Sequence, residues 1–235
     1  MPRLRTLATC MCALSVFAIP VSAETLYPYD LTVESLNGIM RYSAVANPGG
    51  SGTGSSLRPY NSLGWSGTWT IGMPQMGFIF VQFEIRNELD VTQPIAISVT
   101  QPIDAAFGPP LSLTGSISGS VSDTSGNGNG ALVSQNPNAK PLYEAFIDGT
   151  PVRSLVNGAF NFSAPGYLTD PWDGGDFIGD PYAGGVTSDI GIDVMMQISP
   201  KDSVTFSATF LVVPEPASFA LLALGGVAVL RRRRV

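Results

Sequence analysis

The sequence has 235 residues, with 12 Lys and Arg against 18 Asp and Glu, two Cys and no His. Without His, neither a Ser-His-Asp triad, a Cys-His pair nor a His-ligated metal site can form. The net charge of −6 also argues against a nucleic-acid partner, whose phosphates require clustered Lys and Arg.

The N-terminus has the three parts of a secretory signal peptide. Two arginines lie in the first five residues, an apolar run covers 7–19, and Val-Ser-Ala precedes the first acidic residue, Glu24. A basic start, a short apolar core and a small-residue cleavage site are typical of export signals. The pattern predicts a signal peptide at 1–23, cut by signal peptidase between Ala23 and Glu24, and hence an exported body.

The body, 24–213, shows repeated alternation of apolar and polar residues. Successive side chains of a strand point to opposite faces, so alternating runs predict strands that are buried on one side. No stretch keeps the apolar spacing of an amphipathic helix over three turns. The alternating runs cover 79–85, 95–99, 190–198 and 204–212.

Turn signals separate the runs. Asn-Gly occurs at 37–38 and 157–158, and Asp-Gly occurs at 148–149. These dipeptides supply the positive φ that type I′ hairpin turns require. Short strands joined by Gly- and Pro-rich turns predict a single antiparallel all-β domain at 24–213, of the β-sandwich or jelly-roll type.

An acidic, glycine-rich stretch lies late in the body, and its composition predicts a loop. Asp170, Asp173, Asp176 and Asp180 fall within eleven residues. Calcium takes about six to eight oxygen ligands, which acidic loops supply, so the four aspartates are a candidate calcium site. The alternatives are a solvated acidic loop and a carboxylate pair for glycoside hydrolysis, Asp173 with Asp176, since that reaction needs no His.

Two further features are candidates for ligand binding. Every even position from 112 to 122 is Ser or Thr, which predicts a strand with one hydroxyl face. Such a face suits sugar or ice, and the alternative is the wet face of an antiparallel strand. Trp172 and Tyr182 flank the aspartates and are candidates for stacking on sugar rings, with buried core aromatics as the alternative.

The C-terminus combines a proline-glutamate motif, an uncharged apolar run and an arginine block. Fourteen helical residues span about 21 Å, short of a bilayer core of about 30 Å, so the run predicts a short, marginal transmembrane helix. Arginines beyond it stay cytoplasmic, and prolines keep the motif extended and accessible at the membrane face. The parts are Val213, Pro214, Glu215, Pro216 and Ala217, the run 217–230, and Arg231, Arg232, Arg233 and Arg234.

This order resembles the PEP-CTERM sorting signal of Gram-negative bacteria, a tail that is also called the ice-binding protein C-terminal domain. The resemblance covers 214–235. It implies that an exosortase, a transpeptidase-like membrane enzyme, recognises Pro-Glu-Pro and cuts near it, while the arginine block orients the segment. It also implies an inner-membrane intermediate and delivery to the cell envelope surface or into exopolysaccharide.

The charged residues and the cysteines are unevenly distributed among the signal peptide, the body and the C-terminal segment. Both cysteines lie in 1–23. Two N-terminal and four C-terminal arginines lie outside 24–213, which leaves six basic against 17 acidic residues, a net charge of −11. The mature body therefore has no thiol chemistry and no disulfide.

Together these features predict a non-catalytic exported surface or matrix protein with a structural or adhesive role. The alternative is a carbohydrate- or calcium-binding module. A carboxylate-based glycoside hydrolase and an ice-binding protein are the remaining hypotheses.

Overall fold

A computed structural model describes residues 27–46, 51–60, 63–73, 75–104, 106–126, 132–134 and 140–215. All its regular elements are strands, which confirms the predicted all-β class for this part of the chain. The predicted signal peptide, 1–23, and membrane segment, 217–230, lie outside it. The described residues include no helix that is long and apolar enough to cross a membrane.

The strands are β1 (Tyr27–Ser35), β2 (Gly38–Ala46), β3 (Ser51–Tyr60), β4 (Trp65–Gly72), β5 (Phe78–Asn87), β6 (Gln93–Pro102), β7 (Leu111–Ser122), β8 (Leu132–Ser134), β9 (Tyr143–Ile147), β10 (Thr150–Leu155), β11 (Asn161–Ser163), β12 (Thr169–Tyr182), β13 (Asp189–Ile198) and β14 (Ser203–Pro214).

The strands form two sheets. Sheet A has the order β10-β9-β13-β6-β1-β2, with β8 paired to β13 and β11 paired to β8. Sheet B has the order β12-β7-β14-β5-β4-β3. The described strand pairs are antiparallel. Because β13 lies inside sheet A and the next strand, β14, lies inside sheet B, the chain crosses from an interior strand of one sheet to an interior strand of the other.

Strand β14 buries every second side chain, as its alternation predicts. Five apolar side chains of β14 are between 0 and 2 % exposed, and the Ser and Thr residues between them are half-buried. Phe206 lies opposite Phe83 of β5, and their rings stack with centroids 5.4 Å apart. The buried residues of β14 are Val204, Phe206, Ala208, Phe210 and Val212.

The apolar faces of the two sheets share one buried cluster. Tyr143 of β9, in sheet A, reaches across to sheet B, where its hydroxyl donates a 2.8 Å hydrogen bond to the carbonyl of Thr209 in β14. Its ring also lies 6.3 Å from that of Phe177 in β12. At the other edge, Tyr42 of β2 meets Trp69 of β4 edge to face at 6.0 Å. The sheets are therefore in contact at both edges.

Of the three predicted hairpin turns, one is confirmed, one is shifted along the chain and one is wrong. Asp148 and Gly149 join β9 to β10 with φ of 51° and 69°, which confirms the type I′ turn. Between β1 and β2 a hairpin forms, but its turn residues are Leu36 and Asn37, and Gly38 begins β2. The hairpin at 157–158 is wrong, because β10 pairs with β9 whereas β11 pairs with β8.

A buried polar network closes the connection from β13 to β14. Asn87 is fully buried, and its side-chain amide donates to the carbonyls of Ile198 and Ser199 at 3.0 Å each. Its backbone N–H donates to the carbonyl of Asp202 at 2.9 Å, and Asp202 is also fully buried. Buried polar groups persist only when they are hydrogen-bonded, so this network fixes the crossing between the sheets.

Candidate functional site

The junction between the body and the C-terminal motif is part of sheet B. Strand β14 pairs with β7 as far as Pro214, which lies opposite Leu111. One residue further, the N–H of Glu215 donates a 3.0 Å hydrogen bond to the carbonyl of Pro110. Val213 and Pro214 are exposed, and Glu215 is half-buried. The folded body therefore continues without a spacer into the proline-glutamate motif.

The motif is extended up to Glu215, as its prolines predict, but it is not free. Its first half is held by backbone pairing to β7 on one side. The predicted cleavage residues of the signal peptide, Ala23 and Glu24, lie outside the described residues. The remainder of the C-terminal signal also lies outside them, namely Pro216, Ala217, Arg231, Arg232, Arg233 and Arg234.

The acidic stretch is a strand, so its prediction as a loop is wrong. Asp170, Asp173, Asp176 and Asp180 belong to β12, an edge strand of sheet B that pairs with β7. The pairing is interrupted twice by register shifts, between Asp173 and Asp176 and between Phe177 and Asp180. Bulges, charges and prolines on an edge strand prevent it from pairing with another chain. The register shifts, aspartates and prolines of β12 are features of this kind.

The structure gives no support to calcium at these aspartates. The side chains are spread along the strand, and Asp180 forms a 2.8 Å ion pair with Arg153. Asp173 accepts a hydrogen bond from the N–H of Gly175, two residues along its own strand. In the described ranges no group of three or more His, Cys, Asp or Glu side chains is placed to hold a metal ion.

Trp172 is part of the core, so its ring is not available for stacking on a sugar. It is 7 % exposed and stacks on Phe162 with ring centroids 4.9 Å apart. Trp172 lies opposite Gly119, and Phe177 lies opposite Gly115 on the same two strands. A Cβ at either glycine would come within 2.7 Å of the facing aromatic ring. The glycines of the hydroxyl-rich strand thus make room for the aromatic residues of β12.

Tyr182, the second candidate for sugar stacking, ends β12. Its side chain is half-buried and packs against the edge of the apolar cluster. The two aromatic residues lie opposite Gly119 and Leu111 of β7, which are eight positions apart and, at about 3.3 Å per residue, separated by about 26 Å. They do not converge on one site.

The Ser and Thr residues of β7 form a hydroxyl face on the outside of sheet B. Strand β14 adds a second row directly beside the first, because its own Ser and Thr residues face the same way. Ser116 and Thr209 of the two rows are hydrogen-bonded at 2.9 Å. The paired positions are Ser116 with Thr209, Ser118 with Ser207, Ser120 with Thr205, and Ser122 with Ser203.

Sheet A has a shallow cavity of about 200 Å³ on its outer face, which the sequence analysis did not predict. Gly191 of β13 forms the middle of its floor, between Phe146 of β9 and Thr100 of β6. Asp189 and Asp193 lie two positions to either side of Gly191, on the same face of β13. The lining residues are Ser98, Thr100, Phe146, Gly149, Asp189, Gly191 and Asp193.

The carboxylates around this cavity are held by hydrogen bonds. The hydroxyl of Ser98 donates to Asp193, and that of Ser188 donates to Asp189 at 2.8 Å. Burial raises the pKa of Asp193, although the hydrogen bond from Ser98 and the charge of Lys140 partly offset the rise. A cavity with one aromatic wall, two hydroxyls and two carboxylates offers acceptors and donors to a small polar ligand.

Asp148 fixes the turn beside the cavity. Its carboxylate accepts hydrogen bonds from the backbone N–H groups of Thr187, Ser188 and Asp189, at 2.7 to 3.2 Å. Burial acts to raise the pKa of Asp148, but these hydrogen bonds outweigh it and lower the pKa below its usual value. The hairpin from β9 to β10 is thereby tied to the start of β13.

The comparisons with known proteins concern the C-terminal segment. A family model of the PEP-CTERM protein-sorting motif matches residues 212–234. The match begins within β14 and does not extend further into the body. A comparison with curated proteins finds no match. The chain therefore carries a PEP-CTERM protein-sorting motif at its C-terminus. Because this motif directs export and processing by an exosortase, the chain is an exported protein of the cell surface or the extracellular space.

Proposed function

We propose that this protein is a non-catalytic structural or adhesive component of the cell surface or the exopolysaccharide matrix. The signal peptide, 1–23, carries the body out, the segment 217–230 pauses it in the inner membrane of a Gram-negative cell, and exosortase processing releases it. The observation that carries this proposal is the continuity of the sorting motif with β14. A folded domain that is joined directly to a sorting signal is its cargo.

The body suits a passive role outside the cell. We infer that its two sheets form a β-sandwich and that the sandwich has a jelly-roll topology. The mature body has no Cys and no His, so its stability rests on the shared apolar cluster and the buried polar network. The hydroxyl face of sheet B and the net charge of −11 give it a strongly hydrated surface that suits a matrix of polysaccharide.

Deletion and sorting variants in the native host test the proposal. Glu215→Ala removes the charged residue of the motif and should leave the protein cell-bound, with little material reaching the surface. Glu84→Ala is the matched control, because Glu84 is an exposed residue of β5 far along sheet B from the junction. Protease shaving of intact cells measures the surface fraction. Equal surface fractions for Glu215→Ala and wild type would count against sorting through the motif.

The adhesive role is tested separately. Deletion of the gene should reduce flocculation or biofilm mass, and restoring the wild-type chain should recover it. A deletion strain whose flocculation and biofilm match those of the wild type, while the wild-type protein is displayed at the surface, would contradict the structural or adhesive role. It would leave the sorting route intact.

The second candidate function is the binding of a small polyhydroxylated ring, such as one unit of a polysaccharide. The cavity at Gly191 favours it, because Phe146 offers an apolar face while Asp189 and Asp193 offer acceptors for ligand hydroxyls. This candidate site lies on sheet A, away from Trp172 and Tyr182.

Calorimetric titration with a panel of monosaccharides and oligosaccharides tests this second candidate. Gly191→Val fills the cavity and should abolish binding. Gly108→Val is the matched control, because an added Cβ at Gly108 meets no atom within 4 Å. Equal affinities of the two variants for a bound sugar would exclude the cavity as its site.

A further inference from the structure

We infer that the free edge of β2 binds the same edge of a second copy of this chain, so that two copies of sheet A join into one continuous antiparallel sheet. The inference goes beyond the proposed function, because it concerns the body alone and does not depend on processing of the tail. It follows from the open backbone of β2 and from the charges that flank this strand.

Strand β2 differs from the other strands that end the two sheets. Strand β10 contains Pro151 and a register shift beside it, β12 contains two prolines and two register shifts, and β3 contains Pro59 and a register shift around it. Such interruptions keep an edge strand from pairing with another chain. Strand β2 contains no proline, and its register with β1 runs without a shift over all nine of its residues.

The outer edge of β2 is open within the described part of the chain, where β2 pairs with β1 only. Ile39, Arg41 and Ser43 are exposed on the outer face of the sheet. Tyr42 points to the inner face, where its ring meets Trp69, and it is nevertheless 41 % exposed. This exposure arises on the side of β2 where no described strand lies.

The backbone of β2 presents unpaired hydrogen-bonding groups along this edge. The loop between β1 and β2 has two residues, so Ser35 and Gly38 close it as a hydrogen-bonded pair. Hydrogen-bonded and non-hydrogen-bonded positions alternate from there, which turns the N–H and C=O groups of Ile39, Arg41 and Ser43 away from β1. These groups are the donors and acceptors that an added strand needs.

Full overlap of two β2 strands determines their register. An antiparallel pair that joins all nine residues is centred on Tyr42, which then lies opposite Tyr42 of the second copy. Arg41 lies opposite Ser43 of the second copy, and the backbone groups of both residues point into the joint. A slip by one position would set outward-pointing groups against inward-pointing ones, and a slip by two would shorten the overlap.

The charges beside β2 are complementary in this register. Arg41 is one of the six basic residues of the body, and within the described ranges it forms no ion pair. The hydroxyl of Ser43 donates to the carboxylate of Asp30, its neighbour on β1. In the joined sheets Asp30 of the second copy lies two strands from Arg41, at a Cα separation of about 10 Å, which the long arginine side chain spans across Ser43.

The two-fold symmetry of the joint makes this ion pair twice, because each copy contributes one arginine and one aspartate. The joint is smaller than a permanent interface, and the net charge of −11 opposes association of two bodies. We therefore expect a weak dimer, which the high local concentration of a surface layer or matrix favours.

A single cysteine tests the pairing in the full chain, expressed in its native host, because residues 24–213 contain none. Directly opposed residues at a non-hydrogen-bonded position have Cα atoms about 4.5 Å apart, which a disulfide can bridge. Tyr42→Cys should therefore form a disulfide-linked dimer on mild oxidation, measured on non-reducing gels as a fraction of all exported chain. Because cell-bound and surface chains are counted together, a failure of sorting does not affect the result.

Two matched variants control for register and for random collision. The two copies of residue 43 are offset by two positions, with Cα atoms about 8 Å apart or more, so Ser43→Cys should form little dimer. Thr150→Cys places an exposed cysteine on β10, the opposite edge of sheet A, and should also form little. Equal dimer yields in the three variants, or a yield from Ser43→Cys above that from Tyr42→Cys, would overturn the inference.

A charge exchange gives a second test in the Tyr42→Cys chain. Arg41→Asp places like charges along the joint and should lower the dimer yield about fivefold or more. Adding Asp30→Arg restores opposite charges and should recover most of the yield. Arg86→Asp, on β5 of sheet B, makes the same change in net charge and should leave the yield as it was. An unchanged yield for Arg41→Asp, or no recovery in the exchanged pair, would overturn the pairing.

Sedimentation velocity of the wild-type surface protein makes the test without a cysteine. The dimer fraction should rise with concentration between about 10 and about 500 µM, and Arg41→Asp should reduce it at every concentration. A wild-type protein that stays monomeric over this range would contradict the inference, while sorting of the chain to the surface would be unaffected.

Discussion

Replacing Tyr143 with Phe tests the contact that joins the two sheets. The hydroxyl of Tyr143 donates a 2.8 Å hydrogen bond to the carbonyl of Thr209, and the side chain is 0 % exposed. Removing one buried hydrogen bond while leaving its acceptor costs about 1–2 kcal/mol. At pH 7 we therefore expect Tyr143→Phe to lower the free energy of unfolding by about that amount.

The effect should reverse at alkaline pH. Burial raises the pKa of Tyr143 far above its usual value near 10. Above pH ~10 the tyrosine ionises in the unfolded chain but not in the folded one, so the wild type loses about 1.4 kcal/mol of stability per pH unit relative to the variant. The lost hydrogen bond and the avoided ionisation should cancel near pH 11, where the two proteins become equally stable.

Urea denaturation of the two proteins at pH 7, 9, 10 and 11, followed by circular dichroism, measures the difference. Tyr167→Phe is the control, because Tyr167 is 74 % exposed and its replacement should change stability little at any of these pH values. A difference between wild type and Tyr143→Phe that stays constant from pH 7 to 11 would refute the burial of this hydroxyl between the sheets.

Three further substitutions test the close packing at Gly119 in sheet B and two carboxylates, Asp148 and Asp193, at the outer face of sheet A. Gly119→Ala should destabilise the body by about 2 kcal/mol or more, measured by urea titration, because the added Cβ would lie 2.2 Å from the carbonyl of Thr205; wild-type stability would refute this clash. Asp148→Asn should cost about 1–2 kcal/mol at pH 7. That difference should shrink as the pH falls below about 4, since folding lowers the pKa of Asp148, so its contribution is complete above the pKa of the unfolded chain and is lost as the pH falls toward the folded pKa; a pH-independent difference would be the contrary result. Asp193→Asn should raise Tm at pH 7, because burial disfavours the charged form of Asp193, and a lower Tm in differential scanning calorimetry would show that the carboxylate stabilises the fold.

The features that the sequence predicts correctly depend on local geometry. The alternation in β14 and β5 follows directly from the two-residue period of a strand, and the buried positions match it residue by residue. The turn at Asp148 and Gly149 was predictable for the same reason, since positive φ at two successive positions is a local requirement. No partner elsewhere in the chain had to be known.

The features that it misses depend on partners distant in the chain. Asp, Gly and Pro disfavour strands, so β12 has the composition of a loop. Its pairing with β7, where Gly115 and Gly119 leave room for Phe177 and Trp172, overrides that composition. Either half of this fit is uninformative alone, because the glycines and the aromatic residues lie more than fifty positions apart.

The cavity on sheet A cannot be predicted from the sequence for the same reason. Thr100, Phe146 and Gly191 come from three strands that are far apart in the sequence and adjacent in the sheet. The only local signal was the spacing of Asp189, Gly191 and Asp193, which places two carboxylates and a gap on one face of a strand.

The mass of the intact protein recovered from the cell surface tests the central claim most directly. Sorting through the C-terminal motif predicts a single chain that begins at Glu24, ends near the motif at 214–217, and lacks the arginine block 231–234. Surface protein that retains this block, or a chain found only inside the cell, would contradict it.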